Sequence, residues 1–131
     1  MKNTAIIILI FFIAIISCSK DEFTIDQDNL IIGTWTYSGN QDDILIFNRN
    51  NEFINNQCFR FESDGTLTER ANSGFCGTPP ISYADYRGNW VPVNDTLILV
   101  RVDSWNGLTE FKLDIEFVGP SRLKTRIVYN Q

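Results

Sequence analysis

Residues 108–117 read LTEFKLDIEF, and this stretch decides the fold class. Apolar and charged side chains alternate in it without a break from Glu110 to Phe117. Because successive side chains of a β-strand point to opposite faces, the alternation predicts a strand with one buried and one wetted face. The predicted buried face carries Phe111, Leu113, Ile115 and Phe117. The predicted wetted face carries Glu110, Lys112, Asp114 and Glu116.

Seven further segments are predicted as strands, with turn residues between them. Ser63-Asp64-Gly65 is the best-defined turn, because Gly65 can take the positive φ that a tight hairpin needs. No segment sustains a helical apolar stripe over eleven residues. The predicted strands are 33–38, 44–47, 52–62, 66–70, 81–91, 96–102 and 122–129.

Eight strands joined mostly by short connections predict an all-β domain at residues 30–131. Strands with one wetted face are typical of antiparallel sheets, whereas parallel strands have continuous apolar runs. An up-and-down barrel would remove the exposed edges along which sheets aggregate. We therefore predict an antiparallel up-and-down eight-stranded barrel, with a two-sheet β-sandwich as the alternative.

The composition excludes several classes of function. The chain has 131 residues, no histidine and a net charge of −5. Without histidine there is no Ser-His-Asp or Cys-His pair and no His-ligated zinc. An acidic chain is also poorly suited to nucleic acid, because binding phosphates needs Lys and Arg. Asp42 and Asp43 are adjacent, so their side chains diverge and cannot jointly flank a scissile bond. The sequence predicts no catalytic residue, no metal site and no cofactor.

The N-terminal segment predicts a lipoprotein signal peptide at residues 1–17. Lys2 is followed by the apolar run AIIILIFFIAII at residues 5–16, too short for a spanning helix of ~20 residues. The run ends in Ile-Ile-Ser-Cys at 15–18, which resembles a bacterial lipobox. The resemblance implies that Cys18 is lipidated by diacylglycerol, with a further acyl chain such as palmitate on its amine. Two or three chains anchor a protein stably. The alternative is an ordinary secretory signal or a buried helix.

Residues 18–29 are predicted to form a lipidated tether between the membrane and the domain. Ser19-Lys20-Asp21-Glu22 resembles a signal that sends some Gram-negative lipoproteins to the outer cell surface. The prediction is therefore a lipid-anchored protein of the outer membrane, exposed at the cell surface. A solvated linker on a protein of the periplasmic leaflet is the alternative.

The two other cysteines, Cys58 and Cys76, predict a structural disulfide. An even number of cysteines in an oxidising compartment is typical of a disulfide framework. A reactive pair would more often have the C-x-x-C spacing, which is absent here.

Four short motifs follow one another in an order that resembles the lipocalin-like domains of bacterial surface lipoproteins. They are Gly33-x-Trp35, Phe59-x-Phe61-x-x-Asp64-Gly65-Thr66, Gly88-x-Trp90 and Asp95-Thr96-Leu97-x-Leu99. The resemblance covers about residues 30 to 129. It implies that Trp35 plugs one end of the barrel. It also implies an arginine packed across Trp35 from the last strand, for which Arg122 and Arg126 are the candidates.

The sequence is compatible with two kinds of binding, one inside the barrel and one on its surface. An eight-stranded barrel can hold one small apolar or amphipathic ligand, or be filled by its own side chains. The candidate cavity residues are Tyr37, Phe61, Phe111, Leu113, Ile115 and Tyr129. If the core is filled, Trp105 in its polar loop is the candidate for glycan or protein recognition at the surface. The sequence leaves the ligand and the oligomeric state open.

Overall fold

The computed structural model describes residues 28–74 and 79–129, and every regular element in these ranges is a β-strand. The strands are β1 Gly33–Gln41, β2 Ile44–Asn50, β3 Cys58–Phe61, β4 Thr66–Asn72, β5 Tyr83–Pro92, β6 Leu97–Ser104, β7 Gly107–Val118 and β8 Arg122–Tyr129. All neighbouring strands pair antiparallel, and the sheet closes into a barrel. The predicted eight-stranded antiparallel barrel is therefore confirmed.

The order of the strands around the barrel departs from a simple meander at one place. The strands β3 to β8 follow one another, but β1 lies between β2 and β3, and β2 pairs with β8. Since β2 and β3 both run antiparallel to β1, they run in the same direction. Residues 51–57 must therefore cross β1 and return towards the end of the barrel at which β2 began, because β3 runs in the same direction as β2.

This crossover replaces half of a predicted strand. The sequence predicted a strand at 52–62, whereas only Cys58–Phe61 pairs with its neighbours. The crossover lies over the outer face of β1, where Thr34 and Thr36 are buried although their side chains point away from the core. Phe53 fixes it there, with its ring beneath the guanidinium groups of two arginines. The guanidinium carbons of Arg60 and Arg70 lie 4.4 and 4.8 Å from its centroid.

Cys58 is fully buried beneath the same crossover. Its sulfur lies 3.4 Å from the hydroxyl oxygen of Thr36 and donates to the carbonyl oxygen of Asn56 at 3.3 Å. Cys76 lies outside the described residues, and no disulfide is found within them. The Cys58–Cys76 disulfide stays a prediction.

Large apolar side chains fill the middle of the barrel. Aromatic rings meet edge to face there, as Phe61 and Trp90 do at 5.6 Å and 88°. These buried side chains form one hydrophobic core within the described strands. The fully buried apolar side chains are Trp35, Phe47, Phe59, Phe61, Leu67, Val100, Val102, Leu113 and Leu123, together with Cys58 on the outer face.

A β-bulge corrects one prediction for the strand that decided the fold class. The register of β7 against β8 shifts between Ile115 and Phe117. Phe117 consequently pairs with Lys124 on the outer face and is 51% exposed, while Val118 takes the inward place opposite Leu123. The prediction that Phe117 faces the core was wrong, because strict alternation holds only while the ladder stays regular.

One end of the barrel is closed by Trp35, which is fully buried on β1. Its indole N–H donates to the carbonyl oxygen of Ile31 at 2.7 Å. The guanidinium carbon of Arg49, on β2, lies 4.1 Å from the centroid of the indole ring. The same guanidinium donates to the carbonyl oxygens of Ile32 at 2.7 Å, Pro120 at 2.7 Å and Leu30. We call this arrangement the Trp35 end.

Neither arginine proposed from the sequence packs on Trp35. Arg122 is exposed, and Arg126 lies on the outer face, where it pairs with Asp43 and Glu116. The expectation was wrong because β2, not β8, carries the arginine whose side chain points inward at this height. Gly33 makes room for that side chain, since a Cβ there would lie 2.4 Å from Nη1 of Arg49.

Several predictions concern residues outside the described ranges. The signal peptide at 1–17, the lipidated Cys18 and most of the tether at 18–29 belong to this part of the chain. Within residues 28–74 and 79–129, no helix is long and apolar enough to cross a membrane.

Candidate functional site

The candidate site is a pocket of about 200 Å³ at the end of the barrel opposite Trp35, where β4, β6 and β8 finish. We call it the distal pocket. Its lining residues are Glu69, Ala71, Asn72, Tyr86, Ser104, Trp105, Thr109, Phe111 and Tyr129. The side chains come from the five strands β4 to β8 and, at Trp105, from the turn between β6 and β7. The pocket therefore lies above the packed core and inside the strand wall.

Glu69 faces the interior of the barrel because of the register of β4. It pairs with Phe59 of β3 on one side and with Tyr86 of β5 on the other. Residues opposite each other in antiparallel strands point to the same face of the sheet. Phe59 is fully buried in the core, so the carboxyl group of Glu69 also points inward.

The charge of Glu69 has no counterpart on the inner surface nearby. Among the described strand residues that point inward, only Arg49 and Glu69 carry a charge, and Arg49 is held at the Trp35 end. Arg70, the neighbour of Glu69, points outward and pairs with Asp85 at 2.6 Å. Within residues 28–74 and 79–129, no cation pairs with the Glu69 carboxyl group.

Burial raises the pKa of Glu69 from 4.5 to about 7. The cause is desolvation, because the half-buried carboxylate exchanges water for aromatic walls. Between pH 4.5 and 7, the folded protein retains a proton that the unfolded chain has released. The free energy of unfolding is therefore expected to fall as the pH rises through this window, and to level off above it.

Replacing Glu69 with glutamine should remove this pH dependence. At pH 8 we expect Glu69→Gln to raise the free energy of unfolding by about 1–2 kcal/mol, a value discounted for partial contact with solvent. At pH 4.5 the wild-type carboxyl is already neutral in the folded state, so the difference should be small. The measurement is the melting temperature of both proteins at pH 4.5 and 8. The exposed Glu62, changed to glutamine, is the matched control, and equal effects of the two substitutions would contradict the assignment.

Aromatic rings form the walls of the distal pocket. Phe111 and Tyr129 contact each other with their ring centroids 6.0 Å apart. Trp105 is 49% exposed and Tyr129 is 64% exposed, so both rings present faces at the rim. The hydroxyl group of Tyr86 donates to the carbonyl oxygen of Asn72 at 3.3 Å, which orients the ring. Such a pocket can hold a small molecule with an apolar body.

The residues predicted to line a cavity are spread over the barrel. Phe111 and Tyr129 line the distal pocket, as does Trp105, the candidate for surface recognition. Phe61 and Leu113 are fully buried in the packed core.

Two of these candidates line other depressions. Tyr37 borders a neighbouring pocket of about 420 Å³ at the same end, beside Gln57 and Tyr83. Ile115 borders a groove of about 460 Å³ near the Trp35 end, beside Trp90 and Asp95. The structure thus brings only part of the predicted set together.

Sequence reasoning missed Glu69, although a signal was present. In the segment Thr66 to Arg70, Leu67 and Glu69 are two residues apart and must share a face of the strand. Once Leu67 is assigned to the core, Glu69 is assigned to the interior as well.

No family model, curated protein or solved structure matches this chain. Within the described ranges, no three acidic or cysteine side chains converge to hold a metal ion. The chemistry that the distal pocket offers is therefore inferred from its own residues, which are a half-buried carboxyl group and the rings around it.

Proposed function

We propose that this chain is a lipid-anchored, non-enzymatic binding protein of a bacterial outer membrane, exposed at the cell surface. In this proposal its lipocalin-like barrel holds a small amphipathic ligand in the distal pocket. The observation that carries the proposal is the asymmetry of the barrel. Trp35 and Arg49 close one end, and the other contains an aromatic-lined pocket with one inward carboxyl group.

The position of the chain entry supports this arrangement. Leu30 and Ile32 are held by Arg49 at the Trp35 end, where the chain enters β1. A tether that continues from there to a lipidated Cys18 would attach the domain to the membrane at the end opposite the distal pocket. A ligand could then enter the pocket without passing the attachment point.

The presence of a bound ligand is tested by isolating the protein from its own host together with any molecule that it carries. We expect the lipidated chain, purified from its own host in mild detergent, to release a small molecule on solvent extraction. A Tyr129→Ala variant, which removes one wall of the pocket, should retain much less of it. Mass spectrometry of the two extracts makes the comparison. Equal contents in both extracts would argue against the distal pocket as the binding site.

Replacing Cys18 with alanine should release the protein from membranes, because the thiol that forms the thioether to diacylglycerol is lost. The measurement is the distribution of the protein between membrane and soluble fractions. A Cys58→Ala variant is the matched control, since it also loses one thiol but retains Cys18. Membrane association of the Cys18→Ala protein equal to that of the control would overturn the anchor.

A second candidate function is favoured by the exposed rings at the rim. Trp105 and Tyr129 are 49% and 64% exposed, and aromatic faces of this kind stack on sugar rings. The packed core is compatible with a barrel that serves as a glycan-binding or protein-binding module. An extract without a small molecule, combined with glycan binding that is lost in Trp105→Ala, would favour this alternative.

A further inference from the structure

Burying a carboxylate without a partner costs free energy of folding. Glu69 carries such a carboxylate, and it lies in the wall of the distal pocket. The carboxyl group has no cation beside it among the described residues, yet it lies on the inner surface of β4. A serine, a threonine or an apolar residue would fill the same place without this cost. A ligand with a positive charge would offset it, because opposite charges attract strongly where water is excluded.

The walls of the distal pocket favour the same kind of ligand. Aromatic faces attract organic cations through the negative potential of the ring, and Phe111, Tyr86 and Tyr129 all line the pocket. A volume of about 200 Å³ corresponds to roughly seven water molecules at ~30 Å³ each. The pocket is thus suited to a small amine or to the ammonium end of a larger molecule.

Other ligand charges fit the pocket less well. An anion would be repelled by the Glu69 carboxylate. A divalent metal ion needs several oxygen ligands, and among residues 28–74 and 79–129 Glu69 is the only acidic side chain that lines the pocket.

We infer that the distal pocket binds an organic cation, with its ammonium group against the carboxylate of Glu69 and its apolar part against Phe111 and Tyr129. The inference rests on the proposed function and assigns the chemical class of its ligand. It gives Glu69 the role of a specificity-determining residue.

Binding should then depend on pH, since the carboxyl group must be ionised to pair with a cation. Because burial raises the pKa of Glu69 to about 7, the ionised fraction rises about tenfold between pH 6 and 8. In the part of the chain that the structure describes, the other titratable side chains that face the pocket are the phenols of Tyr86 and Tyr129. On the outer surface beside it, Arg70 is already paired with Asp85, and Arg60 lies over Phe53.

The test uses two probes of nearly equal shape, 2-phenylethylamine, which is cationic, and 2-phenylethanol, which is neutral. Isothermal titration of the full lipidated protein in detergent measures both affinities at pH 6 and 8. At pH 8 we expect the amine to bind at least tenfold more tightly than the alcohol. At pH 6 that preference should fall about tenfold. In Glu69→Gln the preference should vanish at both pH values, while the affinity for the alcohol stays within about twofold.

The outcomes separate this inference from the proposed function. Equal affinities for the two probes in the wild type overturn the inference and leave a binding pocket in place. An equal loss of affinity for both probes in Glu69→Gln shows that Glu69 only maintains the shape of the pocket. That result also overturns the inference. If neither probe binds, the test is the chemical identity of the molecule extracted from the host protein. A cationic molecule supports the inference, and a molecule without a cationic group contradicts it. Binding of neither probe and an empty extract overturn both proposals.

Discussion

Replacing Trp35 with alanine should lower the free energy of unfolding by about 3–5 kcal/mol, the largest effect expected of any single substitution in this chain. The indole is fully buried, and the Arg49 guanidinium lies over one face of its ring. Its removal leaves a cavity at the Trp35 end and deprives the carbonyl oxygen of Ile31 of its 2.7 Å hydrogen bond. The measurement is urea unfolding followed by far-ultraviolet circular dichroism, which does not depend on the lost fluorophore.

Trp105→Ala is the matched control for this prediction. Trp105 is 49% exposed in the β6–β7 hairpin, so its loss should change the free energy of unfolding by less than about 1 kcal/mol. Similar unfolding midpoints for Trp35→Ala and the wild type would show that the Trp35 end contributes little to stability.

Replacing Arg49 with methionine should cost about 2–4 kcal/mol, because three hydrogen bonds to backbone oxygens are lost together. The guanidinium joins the chain entry at Leu30 and Ile32 to the β7–β8 turn at Pro120. Methionine retains the apolar part of the side chain over Trp35 but donates no hydrogen bond. The loss should therefore appear as lower stability and as faster proteolysis of the chain before β1.

Two further variants define the role of Arg49. Arg49→Lys keeps the charge but lacks the planar fork that reaches three acceptors, so it should recover only part of the stability. Arg122→Met changes an exposed arginine of β8 and should have an effect within about 0.5 kcal/mol. A cost for Arg122→Met as large as that for Arg49→Met would contradict the assignment of Arg49 as the arginine that holds this end.

The strands could be predicted where the alternation is uninterrupted. Leu113 and Ile115 point inward as predicted, and the turn at Ser63-Asp64-Gly65 joins β3 to β4. The prediction failed at Phe117, where a bulge reverses the faces, and at residues 52–57, where the chain crosses β1. Both failures occur where the backbone departs from the regular hydrogen-bonded strand ladder. At such places the sequence position of an apolar residue no longer indicates which face of the sheet it occupies.

The site was only partly predictable for a related reason. Phe111, Tyr129 and Trp105 were candidates because aromatic residues are conspicuous in a sequence, and all three line the distal pocket. Glu69 was missed because a carboxylate on a strand is usually solvated. Its raised pKa arises from burial on the inner face of the barrel, opposite Phe59 and Tyr86, and no local pattern around Glu69 contains these neighbours.

By itself the sequence predicted eight strands of an antiparallel sheet and which residues of β7 before the bulge point inward. These properties follow from a period of two, which is local to each strand and independent of its neighbours. Only the tertiary structure decided that β1 lies between β2 and β3, that Arg49 covers Trp35 and that Glu69 is desolvated. Each of these depends on pairing between segments that are distant in sequence. Alternation specifies the face of a residue but leaves the identity of the strand beside it open.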